Sequence, residues 1–507
     1  MKRRPPPRHS VRRHRALELH SPPSSDQALA TSAVRGVTVL GAERATYQIL
    51  TATVFVVLGR LLTPNQFGLV AAANVFIVLL RTFADAGMGR ALVRIPVLRN
   101  VDITTAFWTA VVMGTLLALL SLAMAPLVAV LFDQPRLTTV IRVLSILFIF
   151  AGLDSTQSAL ADRALNFRVQ AVRRFLAVLV SSVVAILLAL RGAGVWALVA
   201  QMLSLEAMYV IVLWGMVSWR PSFSFSRQSF RELFGFGSRF LGIKLLTYAY
   251  GNVDNLLVGI FLGADALGIY AVAYRVLSIM TDVLTFSLAQ VALPIFARRQ
   301  DDIRALSRIF YRATQLAAAI GWPIFVGLML VARDLVPQLF GTKWALAGTV
   351  LAVLAVTGLA QCGQSLTQTL MLATNQVGNE MRWTALVTTA AIIGFILTVH
   401  FGVVWVAASL AIVTCVLLPV RVAVVARLTG VGFGQTVRSL LAPAMACAVM
   451  ALAVLVAKLL SGPMSVRRTI VEIITGAITY AVALRVLSPT LWRSLRDARR
   501  ILRREAR

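Results

Sequence analysis

Residues 57–73 read VLGRLLTPNQFGLVAAA, and residues 257–273 read LVGIFLGADALGIYAVA. Each stretch closes one apolar run, turns through a few polar residues and opens another. Laid over each other, Gly59, Leu62, Gly68, Ala71 and Ala73 match Gly259, Leu262, Gly268, Ala271 and Ala273. Identities among apolar residues are weak signs alone, but glycines placed alike in a short hairpin are stronger. Gln157-Ser158 and Gln364-Ser365 correspond in the same way further on. The chain therefore reads as one plan used twice in parallel.

Working outward from these hairpins, apolar stretches recur along the whole chain. They lie at 37–60, 66–90, 104–132, 138–160, 172–190, 193–217, 235–261, 266–292, 310–332, 346–373, 383–401, 403–426, 437–460 and 469–487. Each approaches the 20 or so residues a helix needs to cross a hydrocarbon core of roughly 30 Å. Lipid offers no partner for an open backbone, so each stretch is expected to be a helix. The expected fold is an all-α integral membrane protein of about 14 spans: two pseudo-symmetric six-helix lobes plus two C-terminal helices. Its parts are a basic tail (1–35), a first lobe (36–219), a second lobe (220–428), a terminal hairpin (429–490) and a second basic tail (491–507). Two pseudo-symmetric bundles with a site between them is a transporter plan.

Composition agrees. Mean hydropathy is +0.82, and only 14% of residues are charged, against about a quarter in soluble domains. The longest loop, 219–231, is too short for a catalytic domain with its own core. The net charge of +29 does not indicate nucleic acid. Lys and Arg gather at the termini and in alternate loops, at 90–99, 163–174, 220–239, 298–312, 382 and 421–438. That is the positive-inside pattern. It places both termini and the loops near Arg94, Arg168 and Arg304 in the cytoplasm, and those near Asn65, Asp265 and Thr342 outside. Lys458, Arg467 and Arg468 break the rule, which leaves the last hairpin least secure. Residues 1–30, rich in Pro, Ser and Arg, read as a disordered topology determinant resting on anionic headgroups. Cys362, Cys415 and Cys447 lie inside spans without CxxC spacing, and the four histidines form no cluster. No metal site and no cofactor are expected.

The segment GRLLTPNQFGLVAAANVFIVLLRTFADAGMGRALVR (59–94) resembles the polysaccharide transporter family of the multidrug/oligosaccharidyl-lipid/polysaccharide flippase superfamily. So do FGFGSRFLGIKLL (234–246), NVDNLLVGIFLGADALGIYAVAYRVL (252–277), VALPIFARRQDD (291–302), FGTKW (340–344) and ALADRALNFR (159–168). The likeness covers roughly 36–430. It implies a flippase in the cytoplasmic (inner) membrane that moves polyprenyl-pyrophosphate-linked oligosaccharide by alternating access, for O-antigen, capsule or exopolysaccharide. Lipid-linked oligosaccharide and membrane lipid are the implied partners, with polysaccharide polymerase and export machinery beyond them. A lipid II flippase or a drug/cation antiporter is the alternative on the same fold. A membrane-embedded polyprenyl-linked glycosyltransferase or polymerase is the alternative of another class, disfavoured by short outer loops. No Walker-type loop is present, so coupling would be to H⁺ or Na⁺.

Charges within spans mark the candidate site, because each costs at least about 2.5–3.5 kcal/mol at mid-membrane. Arg44 and Lys244 are repeat-related, at equal depth on spans 1 and 7. Together with Arg275 they are the candidate diphosphate ligands, Arg by bidentate hydrogen bonds and Lys as a point charge. The competing reading is snorkelling of Arg44 and Lys244 to headgroups, and a permanent pair with Asp254 for Arg275. Glu43, Asp254, Asn252, Asn255 and Asp282 are candidates for ion coupling or for the sugar path, and Asp254 with its asparagines also reads as a buried polar knot. Arg81 and Asp85, four apart, are expected to pair with each other. Residues 298–312 carry an apolar stripe ringed by Arg, the pattern of an interfacial helix.

Overall fold

The computed structural model describes residues 47–84, 92, 98–164, 166–238, 241–298, 302–429, 433–462, 465–493 and 496. The regular elements among them are all helical. In chain order they are α1 (Tyr47–Leu61), α2 (Pro64–Ala84), α3 (Asn100–Leu131), α4 (Arg136–Leu144), α5 (Ile146–Arg163), α6 (Phe167–Leu190), α7 (Val195–Met216) and α8 (Arg227–Ser238). They continue with α9 (Leu241–Arg298), α10 (Ile303–Phe340), α11 (Ala345–Ala373), α12 (Val377–Thr398), α13 (Val403–Thr429), α14 (Phe433–Leu460) and α15 (Val466–Leu487). Among the described residues, twelve helices are long and apolar enough to cross a membrane, α4 and α5 together forming one of them. The longest, α9, breaks at Gly263 (φ 81°, ψ −179°), a conformation that suits glycine. With its two arms counted apart and the shorter α1 added, each apolar stretch of the sequence has its helix.

The repeat is visible as reciprocal contacts. A Cβ on Gly68 would overlap the carbonyl of Ala264, and one on Gly268 would overlap the carbonyl of Pro64. A Cβ on Gly59 would meet the Phe340 ring, and one on Gly259 the Phe132 ring. Both pairs join repeat-related positions crosswise, as a pseudo-two-fold between the hairpins requires. The glycines let α2 and α9 approach backbone to backbone. One apolar core then runs through both lobes, including Leu69, Phe132, Tyr270, Phe340 and Trp344.

Polar bonds fasten the same end. Arg60 donates from Nε to Leu339 O (2.7 Å) and from a terminal nitrogen to Gln338 O (2.8 Å). Lys343 Nζ donates to Arg60 O (2.8 Å), and the buried Trp344 Nε1 to Gly59 O (2.8 Å). Asn65 Nδ2 reaches Asp265 Oδ2 at 3.2 Å. The loops at Asn65, Asp265 and Lys343 therefore share one end of the bundle, and there the two lobes are sealed together.

Three local expectations change. Residues 303–312 form no separate interfacial helix. They are the first turns of the 38-residue α10, and Leu306 and Phe310 pack inward on Phe296, Leu366 and Leu370. The stripe seats a span in the protein instead of lying on headgroups. An amphipathic helix, α8, begins instead within the stretch read as the longest loop. Ser229 Oγ at its start donates to the buried Asp102 (2.6 Å), which also accepts from Arg99. The third change concerns Arg421, counted among the loop cations. It lies inside α13, 3% exposed, bound to Glu380 at 2.6 Å.

The last hairpin is also better tied than its charge pattern indicates. Lys458 pairs with Asp334 (2.6 Å) and Arg468 with Glu472 (2.8 Å), so two of the three offending cations are cancelled locally. Tyr480 donates to Ala319 O (2.6 Å) and Gln338 to Thr469 Oγ1 (2.8 Å), which dock α15 on α10, as the Lys458–Asp334 pair docks α14.

Candidate functional site

Among the described residues, most deep charges of the first lobe cancel one another. Arg173 on α6 binds both carboxylate oxygens of Asp154 on α5, at 2.7 and 2.8 Å, and donates to Ser158. Its guanidinium sits 4.3 Å from the Tyr209 ring centroid. Arg81 on α2 binds Glu206 on α7 at 2.8 Å, not a residue of its own helix. Asp85, its expected partner, lies outside the described residues. The pair observed joins neighbouring spans, α2 and α7, through a carboxylate within reach of Arg81. The presence of Asp154 and Glu206 in the same lobe as Arg81 was the available signal; Arg173 was hidden by its place in a basic loop.

Arg275 is different. It is exposed, and among the described residues no carboxylate lies within ion-pair distance of it. It stands in the wall of a cavity of about 450 Å³ built from α1, α2, α6 and α7 of the first lobe and the second arm of α9. Tyr47, Asn74, Ser181, Ser182 and Gln201 line the same cavity. Thr51, also in its wall, holds a buried hydroxyl with no hydrogen-bond partner. Hydroxyls and amides beside a cation, the one charged lining residue among those described, suit a hydrated polar ligand with an anionic group.

The other candidates are distributed as follows. Glu43 and Arg44 lie outside the described residues, a few positions before Tyr47 on the cavity wall. Lys244 is half-buried on the first arm of α9 and is engaged by a partner. Asp282 is exposed on the second arm. Asn252 donates to Tyr248 O at 3.0 Å. Asp254 is 3% exposed and lies within the second lobe, away from the Arg275 cavity. It accepts from Tyr270 (2.8 Å), from the backbone of Asn255 (2.8 Å) and from the Asn255 side chain (3.2 Å). Around it, Tyr250, Tyr274, Thr357, Gln361 and Thr414 enclose a pocket of about 20 Å³. That holds one water or a small ion, and it leaves no room for a sugar.

Sequence reasoning brought Arg275 to the cavity, but not the residues that face it. Ser181, Ser182 and Gln201 are ordinary polar residues in apolar spans. Nothing in one chain marks which face of a helix meets a cavity before the helices are packed.

A family model described as "Polysaccharide biosynthesis protein" matches residues 57–349. The chain is 26% identical over 332 residues to the teichuronic acid biosynthesis protein TuaB of Bacillus subtilis, covering 65% of this chain and 68% of that one. It is 29% identical over 301 residues to the succinoglycan biosynthesis transport protein ExoT of Rhizobium meliloti (59% and 61% covered). It is 27% identical over 309 residues to the lipopolysaccharide biosynthesis protein WzxC of Escherichia coli (60% and 62%). The matches thus span about two thirds of these relatives or somewhat less. In fold it is similar to the lipid II flippase MurJ in an inward closed conformation, with a TM-score of 0.75 at 13% identity over 89% of this chain and 99% of that one.

Proposed function

Because the chain belongs to the polysaccharide biosynthesis protein family, we propose that it carries polyprenyl-pyrophosphate-linked oligosaccharide across the cytoplasmic membrane by alternating access. The observation that carries this reading is the cavity between the lobes, whose wall holds hydroxyls and amides together with Arg275, a cation with no carboxylate partner among the described residues. Arg275 takes the diphosphate, with Arg44 and Lys244 as further cations on the repeat-related spans. The serines, Asn74 and Gln201 exchange hydrogen bonds with sugar hydroxyls, and the polyprenyl chain stays in the bilayer. The basic loops and both termini face the cytoplasm. The sealed end is then the outer one, and transport requires the Arg60, Trp344 and Asn65 bonds to break. Asp254, one carboxylate in an ion-sized pocket, takes the coupling H⁺ or Na⁺. No covalent step is required of the protein.

The experiment is complementation of a deletion strain. Loss of the chain should leave lipid-linked oligosaccharide on the cytoplasmic face, and the wild-type chain should clear it. Arg275→Gln should fail to clear it while inserting normally. If Arg275→Gln restores surface polysaccharide at the wild-type rate, the diphosphate assignment is wrong. If deletion builds up no lipid-linked sugar, the transport reading itself fails.

A further inference from the structure

A second cavity, about 500 Å³, lies between α10, α11, α13 and α14. It shares no lining residue with the Arg275 cavity. Its size is in the range of pockets that hold small ligands, roughly 300–1,000 Å³. Trp322, Val326, Leu359, Leu418, Ala448 and Ala451 make its wall mostly apolar. Cys415, Leu418 and Ala448 are exposed, so it opens sideways between α13 and α14.

One charged group enters this lining, Arg421. It is 3% exposed. One terminal nitrogen binds Glu380 at 2.6 Å, and the Trp383 ring lies 5.0 Å from Cζ. Among the described residues, Nε and the other terminal nitrogen have no hydrogen-bond partner. Buried donors are rarely left so, because each forfeits the water it would otherwise bind. A buried guanidinium with two unsatisfied nitrogens, at the edge of an apolar cavity, lacks acceptors that a small local shift could bring to it.

Its position says which kind. Arg421 lies eight residues before the end of α13 at Thr429, about 12 Å of helix rise. Phe310 and Tyr311, in the first turns of α10, line the same end. The lining continues along α10 to Val326, about 24 Å further toward the sealed end. The cavity is thus apolar along its length, with its one charged lining residue among those described, Arg421, toward the end that bears the basic loops, and with a lateral mouth. Those are the dimensions and polarity of an amphiphile lying along a helix.

We infer that this cavity is a binding site for a glycerophospholipid of the leaflet at the basic end. The phosphate accepts hydrogen bonds from Nε and the open terminal nitrogen of Arg421, and an acyl chain runs along Trp322 and Val326. Glu380 holds the guanidinium in place and balances its charge while the site is empty. The site is separate from the transport cavity. Its existence does not depend on the proposed cargo; only the assignment to the cytoplasmic leaflet rests on the topology given above.

The test uses the full chain in vesicles of phosphatidylethanolamine doped with a phosphatidylglycerol that carries a photoactivatable diazirine on one acyl chain. Cross-linked peptides are identified by mass spectrometry. Labelling of 415–425 and 440–451 should exceed that of the lipid-exposed positions Ile393 and Ile396 several-fold. Ala448→Trp, at an exposed position in the mouth, should bring it down to their level. Arg421→Gln combined with Glu380→Gln removes the ion pair as a unit and should lower cavity labelling about tenfold, the scale of lost charge-assisted hydrogen bonds. A diazirine diacylglycerol, which lacks the phosphate, should label the cavity no better than that double variant does. Equal labelling of cavity and lipid-exposed helix overturns the inference, as does full labelling by the diacylglycerol. Displacement of the probe by a polyprenyl phosphate, with none by excess phosphatidylglycerol, also overturns it and gives the cavity to the cargo's tail. Competition by inorganic phosphate alone would reduce it to an anion site.

Discussion

The sealed end makes a quantitative prediction about two glycines. A methyl group on Gly68 would overlap a backbone carbonyl, that of Ala264, and one on Gly268 would overlap that of Pro64. A rotamer change relieves neither overlap, because the obstructing atoms belong to main chain. The hairpins must move apart, at a cost of about 1–3 kcal/mol, as for overpacking elsewhere. At about 1.4 kcal/mol per decade, the ratio of sealed to open states should fall about 5- to 140-fold. Asn65 and Asp265, bonded across the same contact, provide the assay. With both changed to Cys in a background lacking Cys362, Cys415 and Cys447, the rate of oxidative cross-linking reports the sealed state. Gly68→Ala and Gly268→Ala should slow it by similar factors, since the contact is reciprocal. Gly59→Ala faces the Phe340 ring, which can turn, and should slow it less. Gly215→Ala, with nothing nearby, should change nothing. Wild-type cross-linking in both Gly68→Ala and Gly268→Ala would show that the seal does not depend on this backbone approach. A large effect in only one of them would refute the two-fold reading.

Three further outcomes follow from the charged groups. Arg173→Ala should lower the unfolding temperature sharply, because it strands Asp154 in a site where breaking a buried pair costs about 3–5 kcal/mol. Adding Asp154→Asn should recover much of that loss, and no recovery in the thermal scan would contradict the pairing. Arg81→Ala should cost less, since Arg81 is 37% exposed in its side chain and water can reach what remains. Asp254→Asn should leave cross-linking at Asn65 and Asp265 intact but remove any dependence of reconstituted transport on a proton or sodium gradient; a gradient dependence that survives would take the coupling role away from Asp254.

Much of the fold was legible from one dimension. Runs of about 20 apolar residues admit one solution in lipid, a helix that bonds to itself, and that choice needs no neighbour. The repeat could be read because glycines at 59, 68, 259 and 268 are demanded by close approach, and so recur in both halves. Gly263 in GAD also sits where a turn was expected. The 303–312 stripe could not be assigned, since an apolar face on a helix looks the same whether lipid or protein covers it. The candidate site was legible in part: Arg275 stood out as a charge in a span, whereas its cavity partners Ser181, Ser182 and Gln201 did not.

The sequence by itself determined that this is a two-lobed helical membrane protein, that its halves correspond, and to which family it is similar. These rest on local properties, hydropathy and backbone sterics, that survive without contacts. The tertiary structure alone decided how charges are shared out. It set Arg81 on Glu206, Arg173 on Asp154 and Lys458 on Asp334, left Arg275 facing a cavity, and left Arg421 with buried donors unsatisfied among the described residues beside an apolar cavity. Electrostatic energy falls off with distance and with dielectric. Partners far apart in sequence therefore have no interaction until packing sets both their separation and the water between them.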